Sequence, residues 1–229
     1  MKKVLIKGLA LAFMGSLVMS GNAMALSISL NDNAGHSVLV LDQGAGDMYS
    51  SVGAVTYAGS VGNWIANVTT GISYPILGTS TYPMLDLNSV DVSSVAGGTL
   101  TLSVFNTYST VEDLDAGISG FLGSIGGTSA GTVDVSFVIN GISLDIDWDD
   151  MIHTSGGGFT ASTSLSGIPG VEDDVFDMQI IADITHIGDG ATSFDAVVAP
   201  VPEPATMLLF GSGLAGLAGY SRRKIRKNK

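Results

Sequence analysis

The side chains of this sequence that could take part in acid–base chemistry are carboxylates and three histidines. Two acidic residues are enough to hydrolyse a glycosidic bond, one as general acid and the other as base or nucleophile. Asp149 or Asp150 together with Glu172 would supply such a pair by residue type. A chain with 21 Asp and Glu, however, contains such pairs through composition alone. We therefore predict no catalytic residues and a protein that is not an enzyme.

Two of the histidines also have carboxylates close by in the sequence: His153 with Asp149 and Asp150, and His186 with Asp183 and Asp189. Imidazole and carboxylate groups together can bind a metal ion. No two histidines of the chain have the spacing of a known zinc site, however, and the chain contains no cysteine. The sequence predicts separate histidines of the core or the surface, without a metal or another cofactor.

An Asn-Gly dipeptide at residues 140–141 separates two runs in which apolar and polar residues alternate. Asn-Gly favours the type I′ turn of a two-residue β-hairpin, which fixes the register of the two strands. One face would then be apolar, with the pairs Ile139–Ile142, Phe137–Leu144, Val135–Ile146 and Val133–Trp148. The other face would be polar, with the pairs Ser136–Asp145 and Asp134–Asp147, and with Asp149 continuing the row.

The predicted opposition of Asp134 and Asp147 would be repulsive, because like charges directly across a strand pair destabilise it. Water and salt could screen the two carboxylates, or a cation could lie between them. Calcium suits clustered carboxylate oxygens at an extracellular site. Glu172, Asp173 and Asp174 form a second acidic cluster, and neither cluster matches an EF-hand loop. The residues leave both a solvated acidic face and a calcium site open.

Charge is distributed unevenly along the chain. All nine Lys and Arg lie in the first seven or the last eight positions, and the 21 Asp and Glu lie between them. A domain without cationic side chains cannot neutralise phosphates, which excludes nucleic-acid binding and Arg or Lys clamps for phosphoryl transfer. The absence of cysteine excludes thiol catalysis and disulfides. Packing must therefore stabilise this domain.

Residues 26–200 have the composition of one all-β domain, rich in Ser, Thr, Val, Ile and Gly. Alternation of apolar and polar residues predicts strands at 26–30, 99–105, 132–139, 142–149 and 176–184. Runs of glycine separate short segments, which favours a β-sandwich or jelly roll over parallel βαβ units. Trp64 and Trp148 are predicted to lie in the core. Asn67-Val68-Thr69 is a glycosylation sequon, which arises easily by chance in a Thr-rich chain.

The first 25 residues have the three parts of a secretory signal peptide. Lys2, Lys3 and Lys7 form the positive region, and residues 8–19 form an apolar stretch too short for a spanning helix. Ala23 and Ala25 provide the small-x-small site for signal peptidase. Cleavage there would make Leu26 the first residue of the mature protein.

The C-terminal segment also has several parts in a fixed order. Val201-Pro202-Glu203-Pro204 is followed by an apolar run at residues 205–220 and then by basic residues: Arg222, Arg223, Lys224, Arg226 and Lys227. The prolines keep the backbone extended, so that Glu203 is presented on an accessible segment. A helix over the apolar run would rise about 24 Å, short of a bilayer core of roughly 30 Å. The basic residues would hold its end on the cytoplasmic side.

This order resembles the PEP-CTERM sorting tail of Gram-negative exopolysaccharide producers. The resemblance implies insertion in the inner membrane, processing by exosortase, and delivery to the cell surface or extracellular matrix. An ordinary C-terminal anchor is the alternative for this segment. For the domain at residues 26–200 we expect a structural or adhesive role with exopolysaccharide in a biofilm. A neutral-glycan-binding module and an extracellular carboxylate-dependent hydrolase are the alternatives.

Overall fold

The computed structural model describes residues 26–153, 157–170, 174–203 and 212–213. Among these residues the regular elements are almost entirely β-strands, as the alternating sequence predicts. The strands are β1 Ser27–Asn31, β2 Ser37–Leu41, β3 Ala54–Val61, β4 Trp64–Ile72, β5 Leu85–Ser94, β6 Gly98–Thr110, β7 Ile118–Ser129, β8 Thr132–Ile139, β9 Ile142–Ile146, β10 Ile152–His153, β11 Gly158–Ser166, β12 Val175–His186 and β13 Gly190–Pro202. Short 3₁₀ turns occur at Val111–Asp113 and Trp148–Asp150.

The strands form two antiparallel sheets that pack face to face, which confirms the predicted all-β sandwich. One sheet has the order β2-β1-β6-β12-β8-β9, and the other has the order β10-β11-β7-β13-β5-β4-β3. The helices predicted for residues 1–25 and 205–220 lie outside the described residues, apart from residues 212–213. In the part of the chain that is described, no helix is long and apolar enough to cross a bilayer.

The core lies between the two sheets and is made by alternate residues of each strand. Strand β12 shows the pattern most regularly, because every second side chain from Phe176 to His186 is buried. Phe121 of the opposite sheet stacks on Phe176 with ring centroids 5.4 Å apart. Burying one such aromatic side chain stabilises the fold by about 1.5–3 kcal/mol, so packing can stabilise a domain that has no disulfides and no Lys or Arg.

One glycine lies at a close contact between the two sheets. A Cβ atom at Gly123 of β7 would lie 2.6 Å from the ring of Phe137 on β8. No side chain fits at that distance, so the Phe137 ring packs directly on the β7 backbone. The position requires glycine because of this contact between the sheets.

The predicted hairpin is confirmed at its turn and along most of its length. Asn140 and Gly141 have φ angles of 44° and 82°, the positive values that a type I′ turn needs. The strand pairs from 139–142 to 135–146 are those predicted. Ile142 remains exposed, because β9 is an edge strand that the opposite sheet covers only in part.

The connections between strands lie at two ends of the sandwich. At the end where β13 finishes, long connections join β2 to β3 at 42–53, β4 to β5 at 73–84, and β6 to β7 at 111–117. Residues 167–170, which follow β11, also lie there. We call this the tail end. The far end carries the short turns at 62–63, 95–97, 130–131 and 187–189.

Candidate functional site

The predicted opposition of Asp134 and Asp147 is wrong. Strand β9 ends at Ile146, and Asp134 Oδ1 instead accepts the backbone N–H of Trp148 at 2.7 Å. The carboxylate that lies opposite Asp134 in the sheet is Asp183, on the neighbouring strand β12. Burial raises the pKa of Asp134 despite the Trp148 hydrogen bond, and the carboxylates of Asp147, Asp183 and Asp149 raise it further.

The remaining acidic residues of the hairpin do not converge on a common point. Ser136 and Ser143 both donate hydroxyl hydrogen bonds to Asp145 Oδ1, at 2.7 and 2.6 Å. In the second predicted cluster, Asp174 is exposed, and Glu172 and Asp173 lie outside the described residues. Within the described ranges, no three or more Asp, Glu, His or Cys side chains are placed to hold a metal ion.

His186 is buried in a hydrogen-bonded chain rather than placed beside Asp183 or Asp189. Its Nδ1 lies 2.7 Å from Ser94 Oγ and its Nε2 lies 2.8 Å from Thr192 Oγ1. Burial lowers the pKa of His186. The ring also packs on Trp64, with centroids 4.7 Å apart, so both side chains belong to the core.

One serine has the sequence context of a hydrolase nucleophile. Residues 127–131, Gly-Thr-Ser-Ala-Gly, match the Gly-x-Ser-x-Gly spacing around Ser129. They form the end of β7 and the turn to β8, not the strand-to-helix elbow of that motif. Ser129 Oγ lies 2.6 Å from Thr192 Oγ1, and Thr192 in turn contacts His186. Thr192 therefore stands between Ser129 and the histidine. Because His186 and Thr192 are buried, this chain of hydrogen bonds does not open to a substrate.

The other residues singled out in the sequence lie apart from each other. Asp149 and Asp150 belong to the 3₁₀ turn Trp148–Asp150, and His153 ends the two-residue strand β10. Trp148 is half-buried against Phe159, at 5.2 Å between ring centroids. In the sequon, Asn67 donates to Asp91 Oδ1 at 3.1 Å and Thr69 is completely buried.

A polar groove crosses the outer face of the seven-stranded sheet. It is open to solvent, has a volume of about 450 Å³, and is lined by Asp86, Asn88, Ser124, Ile125, Gly126, Thr160, Asp195 and Val197. The ladder aligns Asp195, Gly126 and Thr160 across three neighbouring strands. Gly126 lies at the base of the groove and has no side chain to fill it. A Cβ atom there would meet no atom closer than 3.6 Å, so the space above Gly126 is open.

Two carboxylates line this groove, and a bulge in the β5–β13 ladder sets their positions. The bulge brings the backbone N–H of Ser89 to 2.6 Å from Asp195 Oδ1. Burial raises the pKa of Asp86; the hydrogen bond from Asn88 opposes this, and the Asp195 carboxylate adds to it. The sequence patterns did not predict this groove, although Asp86 and Asn88 show as polar residues alternating with buried leucines.

The C-terminal end of β13 carries the Pro-Glu segment on the folded sheet. Beyond Val198, β13 no longer pairs with β5 and continues to pair with β7, with Val201 opposite Gly120. The backbone N–H of Glu203 donates to the carbonyl of Gly117 at 2.7 Å. The strand thus continues through Pro202, two residues past the predicted domain boundary at 200.

Side chains of the domain hold the same segment. Ser119 Oγ donates to the carbonyls of Val201 at 3.0 Å and Pro202 at 3.3 Å. Tyr82 donates its hydroxyl hydrogen to the carbonyl of Pro200 at 3.2 Å. Residues 201–203 remain exposed, so the segment is extended and accessible on one side while its carbonyls are engaged on the other.

The profile of the PEP-CTERM protein-sorting motif matches residues 200–224. The chain carries a PEP-CTERM sorting motif. The match includes the Pro-Glu-Pro segment, the apolar run and the first basic residues: Arg222, Arg223 and Lys224. The motif implies export, a membrane-anchored sorting tail and processing by exosortase.

No curated protein matches the chain. Among solved structures, a β-glucosidase from Kluyveromyces marxianus in complex with glucose is similar over 52% of this chain and 12% of its own, with 15% identity and a TM-score of 0.30. The module TmCBM61 in complex with β-1,4-galactotriose is similar over 68% of this chain and 92% of its own, with 6% identity and a TM-score of 0.33. The mannan-recognising module TmCBM27 is similar over 65% of this chain and 99% of its own, with 10% identity and a TM-score of 0.27. The chain spans only about an eighth of the β-glucosidase.

The predicted processing residues fall on both sides of the described region. Leu26, the predicted first residue of the mature protein, is buried and directly precedes β1. The signal-peptidase residues Ala23 and Ala25, the motif residue Pro204, and the basic residues from Arg222 to Lys227 lie outside the described residues.

Proposed function

We propose that the sandwich is an envelope or extracellular-matrix domain with a structural or adhesive role in exopolysaccharide, and that it is not an enzyme. The observation that carries the proposal is the continuity of β13 with the PEP-CTERM sorting motif. Because β13 is a central strand that ends in the motif, cleavage near Glu203 would release the complete sandwich. The delivered product would then be the whole folded domain.

The surface chemistry supports a role among hydrated polysaccharide chains. Residues 8–221 contain no Lys or Arg, and the ion pair of the described region is His36 with Asp32, at 2.6 Å. Copies of such a domain repel one another, which keeps them dispersed, while divalent cations can bridge them to acidic polymers. Hydroxyl and carboxylate groups on the outer strands can hydrogen-bond sugars without any conformational change.

Peptide mapping of the protein from its own cells tests the sorting part of the proposal. Intact mass and terminal peptides are measured separately in membrane and extracellular fractions. A species that starts at Leu26 and ends between Val201 and Pro204 is expected outside the cell. A chain that keeps Arg222 to Lys229 in every fraction would mean a persistent anchor and would contradict delivery to the matrix.

Deletion of the gene tests the matrix role. The polysaccharide layer of the deletion strain is expected to lose cohesion, and the full chain should restore it. If sorting through the membrane is needed for correct placement, a chain truncated after Glu203 should be secreted but should not restore the cohesion of the layer. An intact layer in the deletion strain would argue against a structural role.

Neutral-glycan binding is the second candidate function, and the outer-face groove favours it. Carboxylates such as Asp86 and Asp195 accept hydrogen bonds from sugar hydroxyls, and Asn88, Ser124 and Thr160 add donors and acceptors. Binding to dextran, cellohexaose and the producer's own polysaccharide would be measured by calorimetry. Gly126→Val should abolish binding by filling the floor, and Gly188→Val in a far-end turn should not. Turnover lost on Asp86→Asn would instead indicate a carboxylate hydrolase.

A further inference from the structure

The connections at the tail end expose large apolar side chains. In the 42–53 connection, Met48 is 68% exposed, Tyr49 46% and Val52 57%. In the 73–84 connection, Tyr74 is 46% exposed and Ile76 48%. Isolated exposed apolar residues are ordinary, but a cluster of them on a strongly acidic protein points to a contact surface.

The two carboxylates of the first connection accept hydrogen bonds from its backbone. Asp47 Oδ1 accepts the backbone N–H groups of Tyr49 and Thr56, at 2.9 and 3.0 Å, and its Oδ2 accepts that of Gln43 at 3.0 Å. Asp42 Oδ2 similarly accepts the N–H of Gly53 at 2.7 Å. The carboxylates therefore organise the backbone, and the apolar side chains that follow Asp47 are exposed to solvent.

The two connections form one surface because their backbones are joined. Ser73 donates its N–H to the carbonyl of Gly53 at 2.8 Å. A Cβ atom at Gly53 would lie 2.6 Å from Pro75 Cδ, so the loops are in direct contact there. We call Met48, Tyr49, Val52, Tyr74 and Ile76 the apolar patch.

Both hydrophobic segments of the chain leave the domain at this end. Leu26, which follows the signal-peptide region, directly precedes β1 at the tail end, and Glu203 directly follows β13 there. The apolar run of the sorting tail starts at Ala205, two residues later, which is at most about 7 Å of extended chain. A tail inserted in a bilayer therefore holds the tail end at the lipid surface.

We infer that the apolar patch is a lipid-contacting surface that seats the sandwich on the bilayer before the tail is cleaved. Tyrosine favours the interfacial region, where its ring is apolar and its hydroxyl is hydrated, and Met, Val and Ile can enter the acyl boundary. In the described part of the far end, Val95 and Ile187 are also exposed, on turns that touch at Gly97, but neither hydrophobic segment of the chain leaves the domain there. The inference rests on the membrane-anchored tail and not on the proposed matrix role.

The absence of cysteine makes a direct test possible. Met48→Cys, Ile76→Cys and the far-end control Ile187→Cys are each labelled with an environment-sensitive fluorophore. The full chain is reconstituted through its tail in phosphatidylcholine vesicles that contain a spin-labelled lipid quencher. Quenching is expected to be several-fold stronger at positions 48 and 76 than at 187. Equal quenching at all three positions would overturn the inference.

A second set of variants separates lipid contact from contact with a protein. Met48→Asp, introduced into labelled Ile76→Cys, should reduce quenching, whereas Val95→Asp in the same background should not. Flotation with the vesicles should be unchanged in both, since the tail supplies the anchoring, and thermal unfolding checks that both are folded. Shielding of position 76 in cells without quenching in protein-free vesicles would assign the patch to a protein partner and overturn lipid contact. Failure of the matrix proposal would leave the quenching unchanged.

Discussion

At the scale of single residues, His186 is held in its neutral form by the direction of its hydrogen bonds. Ser94 donates its hydroxyl hydrogen to the carbonyl of Gly188 at 2.9 Å, so Ser94 Oγ must accept from Nδ1–H of His186. Nε2 is then the acceptor and Thr192 the donor. Protonation of Nε2 would remove this acceptor and bury a charge, and burial accordingly lowers the pKa of His186.

The lowered pKa predicts a loss of stability in acid. A histidine whose folded pKa lies below its unfolded value of about 6.5 stabilises the fold above that pH. The contribution is lost as the pH falls from about 6.5 through the folded pKa. Denaturant titrations between pH 7 and 5 should show this decline in the wild type and a weaker decline in His186→Gln. An identical decline in both would contradict the assignment.

The raised pKa of Asp86 predicts that its charged form destabilises the fold, whereas the neutral form of His186 stabilises it. Its raised pKa means that ionisation is less favourable in the folded than in the unfolded chain, so its charge destabilises the fold at neutral pH. Asp86→Asn should increase the free energy of unfolding by about 0.5 kcal/mol at pH 7, a size usual for half-exposed sites. The gain should disappear below the unfolded pKa of about 3.9. A loss of stability at pH 7 would show that the carboxylate supports the fold.

At the scale of elements, the hairpin turn makes the most local prediction. Gly141 has a φ of 82°, where a residue with a Cβ is strained, although its Cβ would meet no neighbouring atom. Gly141→Ala should therefore destabilise the domain by about 1 kcal/mol through backbone strain alone. Gly188→Ala, also in open space but without a positive φ, is the control and should be nearly neutral. Urea midpoints of the two variants provide the comparison.

The docking of the sorting motif on β7 predicts that the fold slows its processing. A protease needs the backbone of its substrate, and Ser119 occupies carbonyls of Val201 and Pro202. Removing a hydrogen bond worth about 0.5–1.5 kcal/mol should raise the population of released motif about two- to tenfold. Ser119→Ala should therefore be processed faster in pulse-chase experiments, whereas Ser124→Ala on the same strand should match the wild type. Slower processing of Ser119→Ala would mean that the docked strand is itself recognised.

Local sequence patterns predicted the β-strands, but the positions of the acidic residues and of the groove depend on contacts between strands that are distant in the sequence. The register of β8 and β9 follows from Asn140-Gly141, two adjacent residues, and is therefore readable from sequence. The end of β9 is not, because it depends on Asp134 taking the N–H of Trp148. The groove depends on a bulge that brings Ser89 to Asp195, 106 positions away. Neither contact leaves a periodic signal in the sequence.

At the scale of the whole molecule, one sign of charge dominates the fold. The net charge is −12, and the domain has no Lys or Arg to offset its carboxylates. Repulsion among them destabilises the compact state, and at Asp86 and Asp134 neighbouring carboxylates add to the burial that raises the pKa of each group. Screening becomes effective when the Debye length falls to about 10 Å, near 0.1 M salt.

This field predicts a general response to salt and separates it from a specific calcium site. The melting temperature should rise with NaCl, and calcium and magnesium at matched ionic strength should raise it equally, because both screen the carboxylates. A bound calcium ion would instead add stability in proportion to the logarithm of its free concentration above the dissociation constant. A calcium-specific excess that Asp134→Asn removes would establish a site at the hairpin and contradict the purely screened acidic face. An excess that survives Asp134→Asn but is lost on Asp174→Asn would place the ion at the second acidic cluster.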